Sequence, residues 1–100
     1  MLREQADLWA VQHYPAAERT IAGTTARIVV EQQSVGLEQL SPTTRFIEDL
    51  QMHDPLEGVE LVMAVEEEFG IKISEKHSEA MKTLGDLVTY LHERVQTHAA

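Results

Sequence analysis

The sequence predicts an all-α protein, a four-helix bundle with a long loop between its first and second helices and an N-terminal extension ahead of them. Three observations lead there. Leu, Ile, Val and Met are plentiful while aromatic residues make up only 5% of 100 residues, which suits helices packed on one another. Apolar residues from Leu56 to Val65 and from Leu84 to Val95 recur at steps of three and four. Both segments open with helix-start chemistry, Asp54-Pro55 in one and Thr83 with Asp86 in the other. The organisation reads as an extension over 1–15, a helical domain over 16–96 and a tail over 97–100.

Residues 1–14 have weak helical character, with Leu2, Ala6, Trp9 and His13 roughly on one face, and Pro15 interrupts them. A longer helix is expected from Ala16 to about Gln33, its inner stripe Ile21, Thr25, Ile28, Val29 and Gln32 only partly apolar. Gly23 weakens it by about 1 kcal/mol relative to alanine. Ser34 to Arg45 has no sustained period, and Ser41-Pro42 marks a turn. Val35, Leu37, Leu40, Phe46, Ile47 and Leu50 supply apolar anchors, so this long loop should pack against the helices.

The second helix of the bundle is the clearest element. Asp54 is its N-cap, Pro55 fits the first helical position, and Glu57 completes a capping box. Proline loses nothing there because first-turn N–H groups have no intrahelical acceptor. Leu56, Val59, Val62, Met63 and Val65 are expected to form the buried stripe, with Glu57, Glu60, Glu67 and Glu68 outside it. Phe69-Gly70 ends the helix, glycine taking the left-handed position. Ile71-Lys72-Ile73 should be extended, Glu75 to Met81 a brief helix, and Leu84, Leu87, Val88, Leu91 and Val95 the stripe of the last helix.

Charge and composition exclude several functions. A formal charge of −9 repels nucleic acid and favours basic partners. Eight carboxylates (Glu48, Asp49, Asp54, Glu57, Glu60, Glu66, Glu67 and Glu68) fall between Arg45 and Lys72 with no lysine or arginine among them. Absent cysteines remove disulfides and thiolate metal sites. No run approaches the ~18 apolar residues of a membrane span, and the first residues lack a secretory h-region, so a cytoplasmic location is expected. His13, His53, His77, His92 and His98 lack the i, i+4 pairing of a helical zinc site and read as surface histidines. No metal site and no enzymatic chemistry are expected.

The strings Phe46-Ile47-Glu48-Asp49-Leu50 and Val59-Glu60-Leu61-Val62-Met63-Ala64-Val65-Glu66-Glu67-Glu68-Phe69, with the helix start Thr83 to Tyr90, resemble the acyl carrier proteins. The resemblance covers about Ile21 to Leu91. It implies the order helix, long loop, acidic helix, short helix, helix, and a serine between Asp and Leu that carries 4′-phosphopantetheine. Here that tripeptide reads Asp54-Pro55-Leu56, and no Ser, Thr, Tyr or Cys occurs from Arg45 to Ile73. Gln51-Met52-His53 is one residue longer than the family's Gly-Ala-type spacing, Gly58 replaces a residue with a side chain, and the extension has no counterpart in the minimal family.

The resemblance therefore implies a carrier-like domain of fatty-acid or polyketide-type metabolism that lacks the attachment residue. No cofactor is expected, with 4′-phosphopantetheine entering only if attachment lies elsewhere. The acidic helix is expected to dock on a basic patch of a synthase or transferase through Asp54, Glu57, Glu60, Glu66 and Glu67, with Leu56 and Met63 adding apolar contact. The alternative is a functional carrier that uses an unusual attachment or holds an acyl chain non-covalently between its helices.

Overall fold

Among the described residues, five α-helices are joined in the order α1 (Leu2–His13), α2 (Arg19–Gln33), α3 (Pro55–Phe69), α4 (Glu75–Ala80) and α5 (Leu84–Ala99). This computed structural model describes the backbone of residues 2–99 and the side chains of residues 2–95. The expected tail over 97–100, with His98, lies outside the described side chains; the α5 backbone reaches Ala99. No strand occurs among the described residues, where a single isolated bridge pairs Arg45 with Thr83. The all-α expectation holds.

The extension is a helix with its own place in the core. Ala6, Trp9 and Ala10 of α1 are buried against the rest of the protein, and α1 packs along α2. Gly23 permits that approach. A Cβ there would lie 3.3 Å from the Ala6 carbonyl oxygen and 3.6 Å from the Ala10 Cβ. The residue that weakens α2 as an isolated helix thus lets two helices pack closely.

After Pro15, a short 3₁₀ turn at Ala16–Glu18 leads into α2. Because α2 packs on α1, α3 and α5, its buried face is wide and includes the small residues Ala22 and Ala26 beside Thr25, Ile28 and Val29. Thr25 satisfies its hydroxyl by donating to the Ile21 carbonyl at 2.7 Å. Gln32, expected on the inner stripe, is exposed. It sits in the last turn, where a polar amide keeps its water at no cost to packing.

The loop from Ser34 to Asp54 is tied down at both ends of its course. Leu40 is buried, and its carbonyl accepts the Trp9 indole N–H at 2.8 Å. Farther along, the Phe46 N–H donates to the Lys82 carbonyl and the Leu84 N–H to the Thr44 carbonyl. Both bonds join the loop to the start of α5. That helix is capped reciprocally: the Thr83 hydroxyl accepts the Asp86 N–H, and the Asp86 carboxylate accepts the Thr83 N–H. Leu84, Leu87, Val88 and Leu91 of α5 are buried as expected, and Val95 is half-buried. Gly70, at φ 65°, closes α3 in the left-handed conformation. Beyond it Ile71 and Ile73 turn inward while Lys72 is exposed, the alternation of an extended segment. No helix among the described residues is long and apolar enough to cross a membrane.

Candidate functional site

The N-terminus of α3 and the loop before it form the candidate site. Arg45 opens this loop by clasping Asp49: its Nη2 and Nε donate to the carboxylate at 3.1 and 3.2 Å, and its backbone N–H at 2.8 Å. The side-chain hydrogen bond from Arg45 is the main reason the Asp49 carboxyl is held below the usual carboxylate range. Gln51 then takes a positive φ of 56°, rare for a residue with a side chain. Met52 turns inward and is buried, while His53 and Asp54 are exposed.

Asp54 caps α3 as expected, its carboxylate accepting the Leu56 N–H at 2.9 Å. The Glu57 backbone N–H donates to the Asp54 carbonyl at 3.0 Å. The second half of the capping box does not form: among the described residues no hydrogen bond links the Glu57 side chain to the Asp54 N–H. Asp54 serves the N2 donor and not N3, so the reciprocal geometry is not set up. Pro55 occupies the first helical position, exposed and without an N–H.

The buried stripe of α3 needs correction. Leu61 and Val65 are the residues that enter the core, whereas Leu56, Val59 and Met63 are 60%, 53% and 54% exposed. At 100° per residue, Leu56, Glu60, Met63 and Glu67 fall on one line facing away from Leu61 and Val65. Val59 and Glu66 flank that line on one side and Glu57 on the other. Glu60 and Glu67 are exposed, and Glu57 is half-buried. Glu66 is half-buried too, its carboxylate accepting the Ile73 N–H at 2.8 Å. The outer face is therefore mixed, apolar side chains alternating with carboxylates.

Behind Pro55 lies an apolar cavity of about 300 Å³, lined by Phe46, Met52, Leu61, Val65, Met81 and Leu87 among others. Ser78, from α4, also lines it. A reading confined to neighbours in sequence finds no hydroxyl near Pro55, and only the tertiary structure brings Ser78 to the same cavity. Of the histidines, His13, His53 and His77 are exposed, but His92 is half-buried. No group of three or more metal-binding side chains occurs among the described residues.

The helical order, with a capped acidic helix after a long loop, is the one that the resemblance to the acyl carrier proteins implies. Residues 26–91 match the family described as "Phosphopantetheine attachment site". The chain is 50% identical over 64 residues to an acyl carrier protein of Helicobacter hepaticus, covering 64% of this chain and 83% of that one. It is 43% identical over 68 residues to an acyl carrier protein of Thermosynechococcus vestitus, covering 68% of this chain and 83% of the relative. The chain belongs to the acyl carrier protein family. Proteins of that family are carriers, not enzymes, and they work through synthases and transferases. Helix α1 lies outside the matched residues.

Proposed function

We propose that this chain is a carrier-like protein of fatty-acid or polyketide-type metabolism, in the cytoplasm, that bears no phosphopantetheine arm and acts by docking through α3. The observation that carries the reading is Pro55 at the first position of α3, between Asp54 and Leu56, where the family places its serine. Proline offers no hydroxyl to esterify. Pro55 also lacks the backbone N–H that another residue would present at this helix start. The residues present do not fit a phosphodiester at this point.

Loss of the arm leaves the docking face intact. Asp54, Glu57, Glu60, Glu66 and Glu67, with exposed Leu56 and Met63, remain available to a basic patch on a synthase or transferase. Exposed carboxylates in such a contact mainly raise the association rate and set orientation, each contributing about 0.2–1 kcal/mol. Two measurements test the reading. Treatment with coenzyme A and a promiscuous phosphopantetheinyl transferase should leave the mass unchanged. Titration of a carrier-binding enzyme should show binding that weakens with salt, as the Debye length falls from about 10 Å at 0.1 M to about 3 Å at 1 M. It should weaken further in the Glu57→Lys/Glu60→Lys double variant.

The second reading, a working carrier with unusual attachment, draws support from Ser78 at the cavity. A mass gain that maps to Ser78 would decide for it.

A further inference from the structure

We propose that the cavity behind Pro55 is a receptor for one apolar side chain of the docking partner, so that the partner inserts an anchor into this protein. The inference rests on the docking reading above and names the partner's chemistry: a basic segment carrying a large aliphatic or aromatic residue.

Gly58 is the first observation. It lies among the cavity-lining residues on the inward side of α3, and a Cβ built there would meet no atom within 4 Å. A glycine inside a helix costs about 1 kcal/mol relative to alanine, and no neighbouring atom demands it here. Its effect is to leave space open beside Asp54 and Pro55. Cavity size is the second. About 300 Å³ stands at the small end of the roughly 300–1,000 Å³ range of ligand pockets, room for a side chain more than for a bulky cofactor. Third is its rim: Ile47, which lines it, and Leu56, next to lining residue Pro55, are 48% and 60% exposed, and Asp54, also of the lining, is followed closely by Glu57 and Glu60.

Charge selects the occupant. An alkyl carboxylate entering beside Asp54 would bring an anion to a protein of net charge −9. A lysine- or arginine-flanked apolar residue meets attraction at the rim and apolar surface within. The anchor supplies what exposed ion pairs do not, burial of apolar area.

Methionine methyl groups report on the two surfaces separately. Met52 and Met81 line the cavity, and Met63 stands on the outer face of α3. Protein carrying ¹³C-labelled methionine methyls is titrated at low salt with a short amidated Lys-Ala peptide bearing one central leucine, and with its twin bearing alanine there. The leucine peptide should bind about tenfold tighter and shift Met52 and Met81, whereas the alanine peptide should shift Met63 alone. Gly58→Leu, which fills the entrance and leaves every charge in place, should erase the advantage of leucine. Equal affinity of the two peptides with Met52 and Met81 unmoved overturns the anchor and leaves docking standing. Failure of both peptides to bind, with no effect of Glu57→Lys/Glu60→Lys, overturns docking itself. Decanoate shifting Met52 and Met81 at lower concentration than the leucine peptide assigns the cavity to alkyl chains and overturns the proposal. The comparison of peptides on the unaltered protein does not depend on how Gly58→Leu folds.

Discussion

Trp9 in the first helix donates its indole N–H to the carbonyl of Leu40, 31 residues away, at 2.8 Å. Both residues are buried, at 5% and 3% exposure. The bond ties α1 to the long loop, so the helix that lies outside the family match shares the core of the bundle. Trp9→Phe keeps most of the apolar area but strands the Leu40 carbonyl. Leaving a buried acceptor unpaired costs about 1–3 kcal/mol, and chemical denaturation should show a loss of that order. A loss below about 0.5 kcal/mol would mean that water serves the carbonyl and α1 is not locked to the loop.

The Asp54 cap makes a second, local prediction. Its carboxylate accepts the Leu56 N–H, and Asp54→Ala removes that acceptor and a charge that favours the helix N-terminus. The expected cost is about 1 kcal/mol. Asp54→Asn, which keeps the acceptor, should recover most of it. Equal stability of all three proteins in a denaturant titration would show that α3 starts without help from residue 54.

Arg45 and Asp49 set an acid limit on the loop. The side-chain hydrogen bond from Arg45 holds the Asp49 carboxyl below the usual carboxylate range. The folded pKa is thus lower than the unfolded one, so the contribution to stability is present above the ordinary aspartate value near pH 4 and fades as pH falls through the depressed folded value. The pair is exposed, and the effect should be small and sensitive to salt. Asp49→Asn should flatten part of the stability change between about pH 5 and pH 2. An unaltered acid limb would assign that change to other carboxylates.

What the sequence made legible was mostly local chemistry. Asp54-Pro55, Gly70 and the Thr83/Asp86 pair each act within a few residues, and the structure places α3, its end and the start of α5 accordingly. Burial on α3 was less legible because apolar residues surround that helix. Leu56, Val59 and Met63 keep a helical spacing as good as that of Leu61 and Val65, and tertiary contact with α2, the loop and α5 decides which set turns inward. The role of Trp9 was hidden for a related reason, since its acceptor is a backbone carbonyl far along the chain. Ser78 escaped a search along the sequence because helix α4, not the loop, carries it to the cavity.

On the proposal that the chain bears no arm, a serine at position 55 tests whether proline is the obstacle. Pro55→Ser supplies a hydroxyl at the head of α3, where serine is well tolerated, and the protein should fold. Modification by a transferase should nonetheless remain slow, because the approach to the helix differs. Gln51 takes φ 56° and Met52 is buried in the segment where the resemblance implies a Gly-Ala-type pair. By the spacing the resemblance implies, Gln51-Met52-His53 sets Asp54 and the helix start one position farther from Leu50 than a two-residue link would. Deleting His53 together with Pro55→Ser should therefore raise the rate of modification well above that of Pro55→Ser alone. Gln51→Gly in the same background should help the shortened loop, since a side chain in the left-handed region costs about 1 kcal/mol that glycine avoids. Mass spectrometry over a time course separates the outcomes. Rapid, complete modification of the single Pro55→Ser variant would make proline the whole obstacle and His53 irrelevant. No modification of the shortened double variant would place the obstacle outside residues 51–55.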